Sequence, residues 1–237
     1  MTIFPQNSKT LSFLRNGAFT LIELLVTMTL ASMLIAASAP VVAGLFNGNQ
    51  MNGTLSELTG MLEQARQYAI SNNTYVWVAF EPATASNGVA NLNAVVFASK
   101  SGSDPTDWST SSSLPSYYGS IPTSEIGIVG KPQSFSNVLL ANAGSITATQ
   151  IPNLPATTYG APDSPASSTA GFFNAAVHGV STKFTLAFQF TPSGSARKSS
   201  SLSNWIELDL TPAMGAKHDV AVLRVSGLTG LVNLYRP

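Results

Sequence analysis

The chain has 237 residues, and only 9% of them are charged, with 11 basic residues balancing 11 acidic ones. This weak, balanced charge argues against a surface built to bind nucleic acid. The absence of cysteine excludes a disulfide framework and thiolate chemistry, so packing must stabilise the fold. The length allows one large domain plus an anchor, or two small domains.

Residues 1–18 make up a polar leader that contains Pro5, Lys9 and Arg15. The segment has little periodicity, which is typical of a targeting peptide that is unstructured and later removed. We therefore expect the leader to carry no information about the fold.

The next segment, residues 19–46, is predicted to be a transmembrane or filament-core helix. Residues 24–46 contain no charged side chain, and a helix of that length rises about 34 Å, enough to cross a bilayer. Lys9 and Arg15 precede this apolar run, whereas the first ionisable residue after it is Glu57. The asymmetry predicts a single-pass membrane protein with a cytoplasmic amino terminus and an extracytoplasmic domain.

Glu23 is an acidic residue at the start of this helix, and it needs an explanation. A carboxylate in a membrane costs about 2.5–3.5 kcal/mol unless something neutralises it. A secretory signal peptide cleaved near residues 37–39 is one alternative, but the apolar run is too long for it. An ordinary signal anchor is another alternative, but it does not explain why an acidic residue lies at the start of the helix.

Residues 19–26, Phe-Thr-Leu-Ile-Glu-Leu-Leu-Val, resemble the start of prepilins, the family of type IV pilins and of the pseudopilins of type II secretion. The resemblance implies that a prepilin peptidase removes the leader and methylates the new amino terminus at Phe19, which makes Glu23 the fifth mature residue. Relatives usually have glycine directly before the aromatic residue. Cleavage after Ala18 and cleavage after Gly17 therefore both stay open.

The same resemblance implies partners for the processed chain. In the family, the carboxylate at the position of Glu23 meets the positive amine of a neighbouring subunit, which neutralises it in a filament. Pro40 lies where many relatives have a proline that kinks the helix. The implied partners are prepilin peptidase, other pilin or pseudopilin subunits, the inner-membrane assembly platform and membrane lipid, and nucleic acid is not expected.

Residues 47–72 are predicted to form an amphipathic helix that lies on a domain. Its apolar face recurs in steps of four and three residues, at Met51, Leu55, Leu58, Leu62, Ala65 and Ala69. Asn72 and Asn73 are predicted to end the helix. Residues 74–80, which are rich in β-branched and aromatic side chains, are predicted to form the first strand.

Residues 73–237 are predicted to form a β-rich globular domain. Alternating patterns predict further strands at residues 92–97, 183–190, 205–210, 220–225 and 230–235. The segment of about residues 82–182 is rich in Ser, Ala, Gly and Pro, and we interpret it as a long, partly ordered insertion. The predicted fold class is α+β, with a long amino-terminal helix packed on an antiparallel β-sheet, similar to pilins.

Three motifs narrow the resemblance. Arg66, Ala69 and Ile70 precede the first strand in an order similar to H-type minor pseudopilins of type II secretion and T-type fimbrial proteins. The corner at residues 190–194 and the Gly-Leu-Thr-Gly hairpin at residues 227–230 resemble the same domain. The length and the closing residues, Tyr235, Arg236 and Pro237, are also similar to the prepilin-type proteins of Verru-Chthon cassettes.

Few residues suggest chemistry. His178 and His218 are far apart and lack companions at metal-ligand spacing, so we interpret each as a surface or strand-edge residue. Glu207 and Asp209 share one face of a predicted strand, which could mimic a catalytic carboxylate pair. The solvated face of a half-buried sheet explains the same pattern and is favoured. We therefore expect no catalytic residues, no metal, no cofactor and no enzymatic activity.

The sequence favours a minor pilin or pseudopilin subunit that assembles into a type IV pilus or a secretion pseudopilus. The alternative is a membrane-anchored periplasmic binding protein or enzyme. A lesser alternative is a DNA-uptake pilin, because some T-type relatives bind DNA through basic residues near the carboxyl end. Here Arg197, Lys198, Arg224 and Arg236 offer only a thin basic patch.

Overall fold

The computed structural model describes residues 20–84, 90–104, 124–155, 173–184, 186–198, 204–213 and 219–237. The leader and the two possible cleavage positions, with Gly17, Ala18 and Phe19, lie outside these residues. The chain divides into two units, Met1–Ala43 and Gly44–Pro237.

The first unit contains the beginning of helix α1, which spans Leu21–Ser71 as 51 residues of continuous helix. Residues 20–38 are all exposed, and Leu21 is 83% accessible. Leu21–Ser38 is long and apolar enough to cross a membrane, with a mean hydropathy of 1.9. The backbone stays helical through Pro40, and the kink expected there remains a prediction.

The second unit begins with the rest of α1, where one face of the helix is buried. The predicted apolar positions are all among the least accessible in the chain: Met51, Leu55, Leu58, Leu62, Ala65 and Ala69. Ser56, Glu57 and Gln64 on the opposite face are exposed. The period of 3.6 residues therefore predicted the buried face correctly.

The helix ends where the two asparagines stand. Asn73 has a φ of 47°, a left-handed conformation that asparagine tolerates better than most residues. The N–H of Thr74 donates to the carbonyl oxygen of Ala69 at 3.0 Å, which closes the last turn. The prediction that Asn72 and Asn73 end the helix is confirmed.

Eleven strands follow within the described residues. They are β1 (Val76–Thr84), β2 (Ala90–Ser99), β3 (Ile126–Ser136), β4 (Val138–Ala141), β5 (Phe173–Val177), β6 (Val180–Phe184), β7 (Leu186–Phe190), β8 (Ala196–Arg197), β9 (Trp205–Pro212), β10 (Ala221–Ser226) and β11 (Val232–Tyr235). They form a five-stranded sheet in the order β3-β2-β1-β7-β8, a four-stranded sheet in the order β11-β10-β9-β4, and the hairpin β5-β6. All the recorded pairings are antiparallel.

The main core lies between the buried face of α1 and the inner faces of the two larger sheets. Val78, Phe80 and Phe188 reach it from the five-stranded sheet, and Leu208 and Leu223 reach it from the four-stranded sheet. Because successive side chains of a strand point to opposite faces of the sheet, each sheet also has an outer face that another segment must cover.

The long helix and the antiparallel sheets confirm the predicted α+β, pilin-like fold class.

Two layers cover the outer faces. The hairpin β5-β6 places Ala175, Val177 and Phe184 over Trp77 and Phe97 of the five-stranded sheet. Residues 142–155, which we call the flap, cover the four-stranded sheet. The flap contributes Ile146, Ile151 and Leu154, which pack with Val220, Val222 and Tyr235.

The segment interpreted as an insertion contributes to both sheets. Strands β2 and β3 extend the main sheet beside β1, and β4 is an edge of the other sheet. β2 includes the predicted strand at residues 92–97, whereas β3, β4 and β5 were not predicted. The strand predicted at residues 183–190 is two strands, β6 and β7.

Candidate functional site

The amino-terminal candidate site begins at a capped helix end. The N–H of Glu23 donates to Oγ1 of Thr20 at 3.3 Å, and the N–H of Leu24 donates to the carbonyl oxygen of Thr20 at 3.2 Å. Thr20 is therefore the N-cap residue of α1, and Glu23 stands at the third helical position, as in a capping box. The sequence signal for this role is the Thr-x-x-Glu pattern of residues 20–23.

Glu23 is exposed in the first turn of the helix. A carboxylate there interacts favourably with the positive end of the helix dipole. That interaction is modest, about 0.3–1 kcal/mol at an exposed site, and does not balance the cost of placing the charge in lipid. The capped helix therefore positions the carboxylate but leaves the need for a cationic partner.

A second site is a junction where three sequence motifs meet. Arg66 donates from Nε to the carbonyl oxygen of Thr229 at 2.8 Å, so the helix contacts the hairpin at residues 227–230. Gly230 has a φ of +67° and packs so closely on the backbone of Gly194 that a Cβ would collide with its carbonyl oxygen. A Cβ on Gly194 would in turn collide with Ile70. The motifs that resemble one domain in sequence are thus neighbours in space.

The same face of the helix covers a sheet edge. Arg236 donates from Nη1 to Oδ1 of Asn52, and the N–H of Val232 donates to Oε1 of Glu63 at 3.3 Å. Strand β11 therefore runs along α1 in the opposite direction, with its unpaired edge toward the helix. A covered edge does not offer pairing to another chain.

The outer face of the four-stranded sheet holds the acidic pair. Glu207 is 1% accessible and Asp209 is 0% accessible, so the prediction that both lie on a solvated face is wrong. The cause is the flap, which the strand pattern did not reveal. The sequence placed both carboxylates on one face correctly, but it did not show that another segment covers that face.

Each carboxylate is held by the flap. Oε1 of Glu207 accepts from the N–H of Gly144 at 2.8 Å, and Oε2 accepts from Nε of Arg224 at 2.5 Å. Oδ2 of Asp209 accepts from Oγ of Ser145 and from the N–H of Ile146, both at 3.0 Å. The pKa of Asp209 is raised from its ordinary 3.8 to about 6, chiefly by burial, and the negative charge of the neighbouring Glu207 contributes in the same direction.

The two carboxylates that could mimic a catalytic pair lie beneath the flap. Both carboxylates are closed off from solvent by the flap, so a substrate would not reach them in this conformation. Within the described residues no group of three or more His, Asp or Glu side chains could hold a metal ion. His178 is exposed in the turn between β5 and β6, and His218 lies outside the described residues.

The structure does not assemble the basic patch. Arg224 is buried against Glu207, and Nη2 of Arg197 contacts Oδ2 of Asp104 at 2.5 Å. Arg236 is bound to Asn52. The cations that could have faced DNA are thus engaged within the domain, which weakens the DNA-uptake alternative.

Comparison with known proteins gives one assignment. Residues 14–39 match the family model of the prokaryotic N-terminal methylation motif. The matched segment includes both possible cleavage positions, Thr20 and Glu23, and ends before the β-rich domain begins. No curated protein and no solved structure matches the chain. The motif supports a prepilin-type protein that is processed by prepilin peptidase and assembles with other pilins, and with the apolar helix it fits a membrane-anchored, single-pass protein.

Proposed function

We propose that the chain is a minor subunit of a type IV pilus or of a type II secretion pseudopilus, with a structural and not an enzymatic role. The observation that carries the proposal is the methylation motif at the head of an exposed apolar helix that continues into a β-rich domain. In this proposal the domain is held outside the inner membrane, and the amino terminus faces the cytoplasm.

The first support is the surface that the helix leaves uncovered. Leu21, Ile22, Met33, Leu34 and Ile35 are each more than two-thirds exposed. An apolar surface of this length is stable only against lipid or against other helices. When a subunit moves from the membrane into a filament core, contacts with other helices replace the contacts with lipid.

The second support is the chemistry at the start of the helix. Removal of the leader after Ala18 creates a positive amine at Phe19, four residues from Glu23. In a helical filament the amine of one subunit meets the carboxylate of the next, and each charge then has a partner outside water. Methylation of the amine keeps its positive charge.

The test of processing is the intact mass of the membrane-extracted chain. A mature protein that begins at Phe19 or at Ala18 and carries one added methyl group supports the proposal. A chain that keeps Met1 supports a membrane-anchored binding protein or enzyme instead. Deleting the prepilin peptidase should abolish the cleavage.

The test of assembly is Glu23→Ala, compared with Glu57→Ala as a control in the exposed face of the same helix. The first variant leaves the amine of the neighbouring subunit unpaired, which costs about 3–5 kcal/mol when the pair is buried. We expect normal processing but at least a tenfold loss from sheared filaments, and no loss for Glu57→Ala. Normal incorporation of Glu23→Ala would contradict the charge pairing, while the mass measurement still tests the processing by itself.

A further inference from the structure

The cross-strand pairing gives the two buried carboxylates different neighbours. Glu207 stands opposite Arg224 of β10, whereas Asp209 stands opposite Val222 of β10 and Ala141 of β4. Directly opposed residues point to the same face of a sheet. The guanidinium of Arg224 is therefore beside Glu207, whereas the cross-strand neighbours of Asp209 are apolar.

The charges around Asp209 do not balance within the described residues. β9 contributes Glu207, β10 contributes Arg224, and β11 contributes Tyr235, whose ring lies 5.7 Å from the guanidinium carbon of Arg224. The flap and β4 contribute no ionisable side chain. Two carboxylates thus share one guanidinium in a site closed to water, which favours the binding of one proton.

One oxygen of Asp209 offers a site for that proton. Oδ1 of Asp209 is buried and has no hydrogen-bond partner, although Oδ2 of the same group accepts two hydrogen bonds. A buried acceptor without a donor is costly, whereas a protonated Oδ1 is a donor and Glu207 is the adjacent acceptor. The neighbouring Glu207 is also among the causes that raise the pKa of Asp209.

The flap makes several polar contacts with these two carboxylates and with Arg224. The N–H groups of Gly144 and Ile146 and the hydroxyl of Ser145 all donate to them, and the carbonyl oxygen of Pro155 accepts from Nη1 of Arg224 at 3.0 Å. Ile146, Ile151 and Leu154 also hold the flap, through apolar packing. An excess negative charge beneath the flap would favour its opening, because water then reaches the charge.

We propose that residues 142–155 form a proton-controlled flap, in which a proton shared by Asp209 and Glu207 holds the flap closed and its loss releases the flap from the outer face of the four-stranded sheet. Opening exposes Val220 and Val222 together with the two carboxylates at alkaline pH, whereas the closed flap covers them at acidic pH. The device belongs to the second unit and does not depend on how the chain is processed or assembled.

The test is amide hydrogen exchange of the full chain in detergent at pH 5 and pH 8, corrected for the pH dependence of intrinsic exchange. We expect the amides of Gly144 and Ile146 to lose about tenfold protection at pH 8, because Asp209 ionises more readily in the open state. The amides of β1 report global unfolding in the same sample and should not change as much.

The matched variants are Asp209→Asn and, as a control, Glu57→Gln. Asparagine keeps an oxygen for the flap and supplies an uncharged donor toward Glu207, so the flap should stay protected at both pH values. Glu57→Gln changes an exposed acid and should behave as the wild type. In the wild type, the infrared band of a protonated carboxyl should disappear between pH 5 and pH 8.

Equal flap protection in the wild type at both pH values would overturn the proposal, as would an unchanged pH dependence in Asp209→Asn. If that variant does not fold, the wild-type exchange and the infrared band still decide the question. A flap that opens while no carboxyl band is lost would also overturn it.

Discussion

At the scale of single residues, Thr20 and Glu23 begin the helix, and in the proposed function Glu23 also pairs with a neighbouring subunit. Thr20 caps the helix, because its Oγ1 accepts a hydrogen bond from the backbone N–H of Glu23. A cap of this kind contributes about 1 kcal/mol to the helix. The short motif thus begins the helix and places the carboxylate on its first turn, where the proposed pairing with the amine of a neighbouring subunit would occur.

Asp209 gives a prediction at this scale, which concerns the pH dependence of stability. Its pKa of about 6 in the folded state lies above the unfolded value of 3.8, so its proton stabilises the fold. That stabilisation is complete below pH 3.8 and is lost as the pH rises through 6, with an upper limit of about 3 kcal/mol. We expect Asp209→Asn to gain stability relative to the wild type as the pH rises from 4 to 8.

The measurement is the free energy of unfolding in urea for both proteins across that pH range. Because other carboxylates act in the opposite direction, the difference between the two proteins is the relevant quantity. A difference that stays constant with pH would contradict the assignment of the bound proton to Asp209.

At the scale of elements, the spacing of apolar residues along the sequence correctly predicted which face of a helix is buried. The buried face of α1 was correct because Met51 to Ala69 repeat with the helical period. Strand β3 was missed because Gly130, Lys131 and Pro132 suggest a turn. Gly130 has a φ of +75°, and the pairing of β2 with β3 shifts register there, so these residues form an irregularity on an edge strand.

The flap shows the other limit of sequence reasoning. Its apolar residues, Ile146, Ile151 and Leu154, follow neither a helical nor a strand period. They pack with Val220, Val222 and Tyr235, which lie far later in the chain. The alternation at residues 205–210 predicted that Glu207 and Asp209 share a face. No local pattern predicted what lies on that face, because long-range packing decides it.

The junction of motifs gives a prediction at the scale of elements. Gly230→Ala places a Cβ in a residue with positive φ and drives it into the backbone of Gly194, so the hairpin must move away from Arg66. We expect a loss of at least about 2 kcal/mol in the free energy of unfolding. Thermal unfolding of the extracted chain measures it.

The matched control is Gly60→Ala, in the exposed face of α1, where a Cβ meets no atom within 4 Å. This change should stabilise the protein by about 0.5–1 kcal/mol, because alanine is the better helix former. Equal effects of the two substitutions would show that the close packing of residues 194 and 230 does not matter for stability.

At the scale of the whole molecule, the two units differ in how their apolar residues are covered. The first unit has an exposed apolar helix with one acid at its start, whereas the second unit has a core of its own. Methylation chemistry and filament packing concern the first unit. The outer loops and the flap belong to the second, where sequence comparison found no relative.

This division predicts where the chain is separable. A chain that begins at Gly44 keeps all the described core residues of the second unit, so we expect it to fold without detergent. Its amide exchange in β1, β7 and β9 should match that of the full chain, with a stability within about 0.5 kcal/mol. Unfolding or aggregation of this chain would mean that the domain needs the anchor.

The contrasting chain begins at Gln64 and lacks Met51, Leu55, Leu58 and Leu62 from the core. Each such loss costs about 2–5 kcal/mol, so together they exceed the stability of a typical domain. Removal of Asn52 and Glu63 also uncovers the edge of β11. We expect this chain not to fold, as measured by circular dichroism. The second half of the long helix would then be an indispensable part of the domain core, in contrast to the exposed first half.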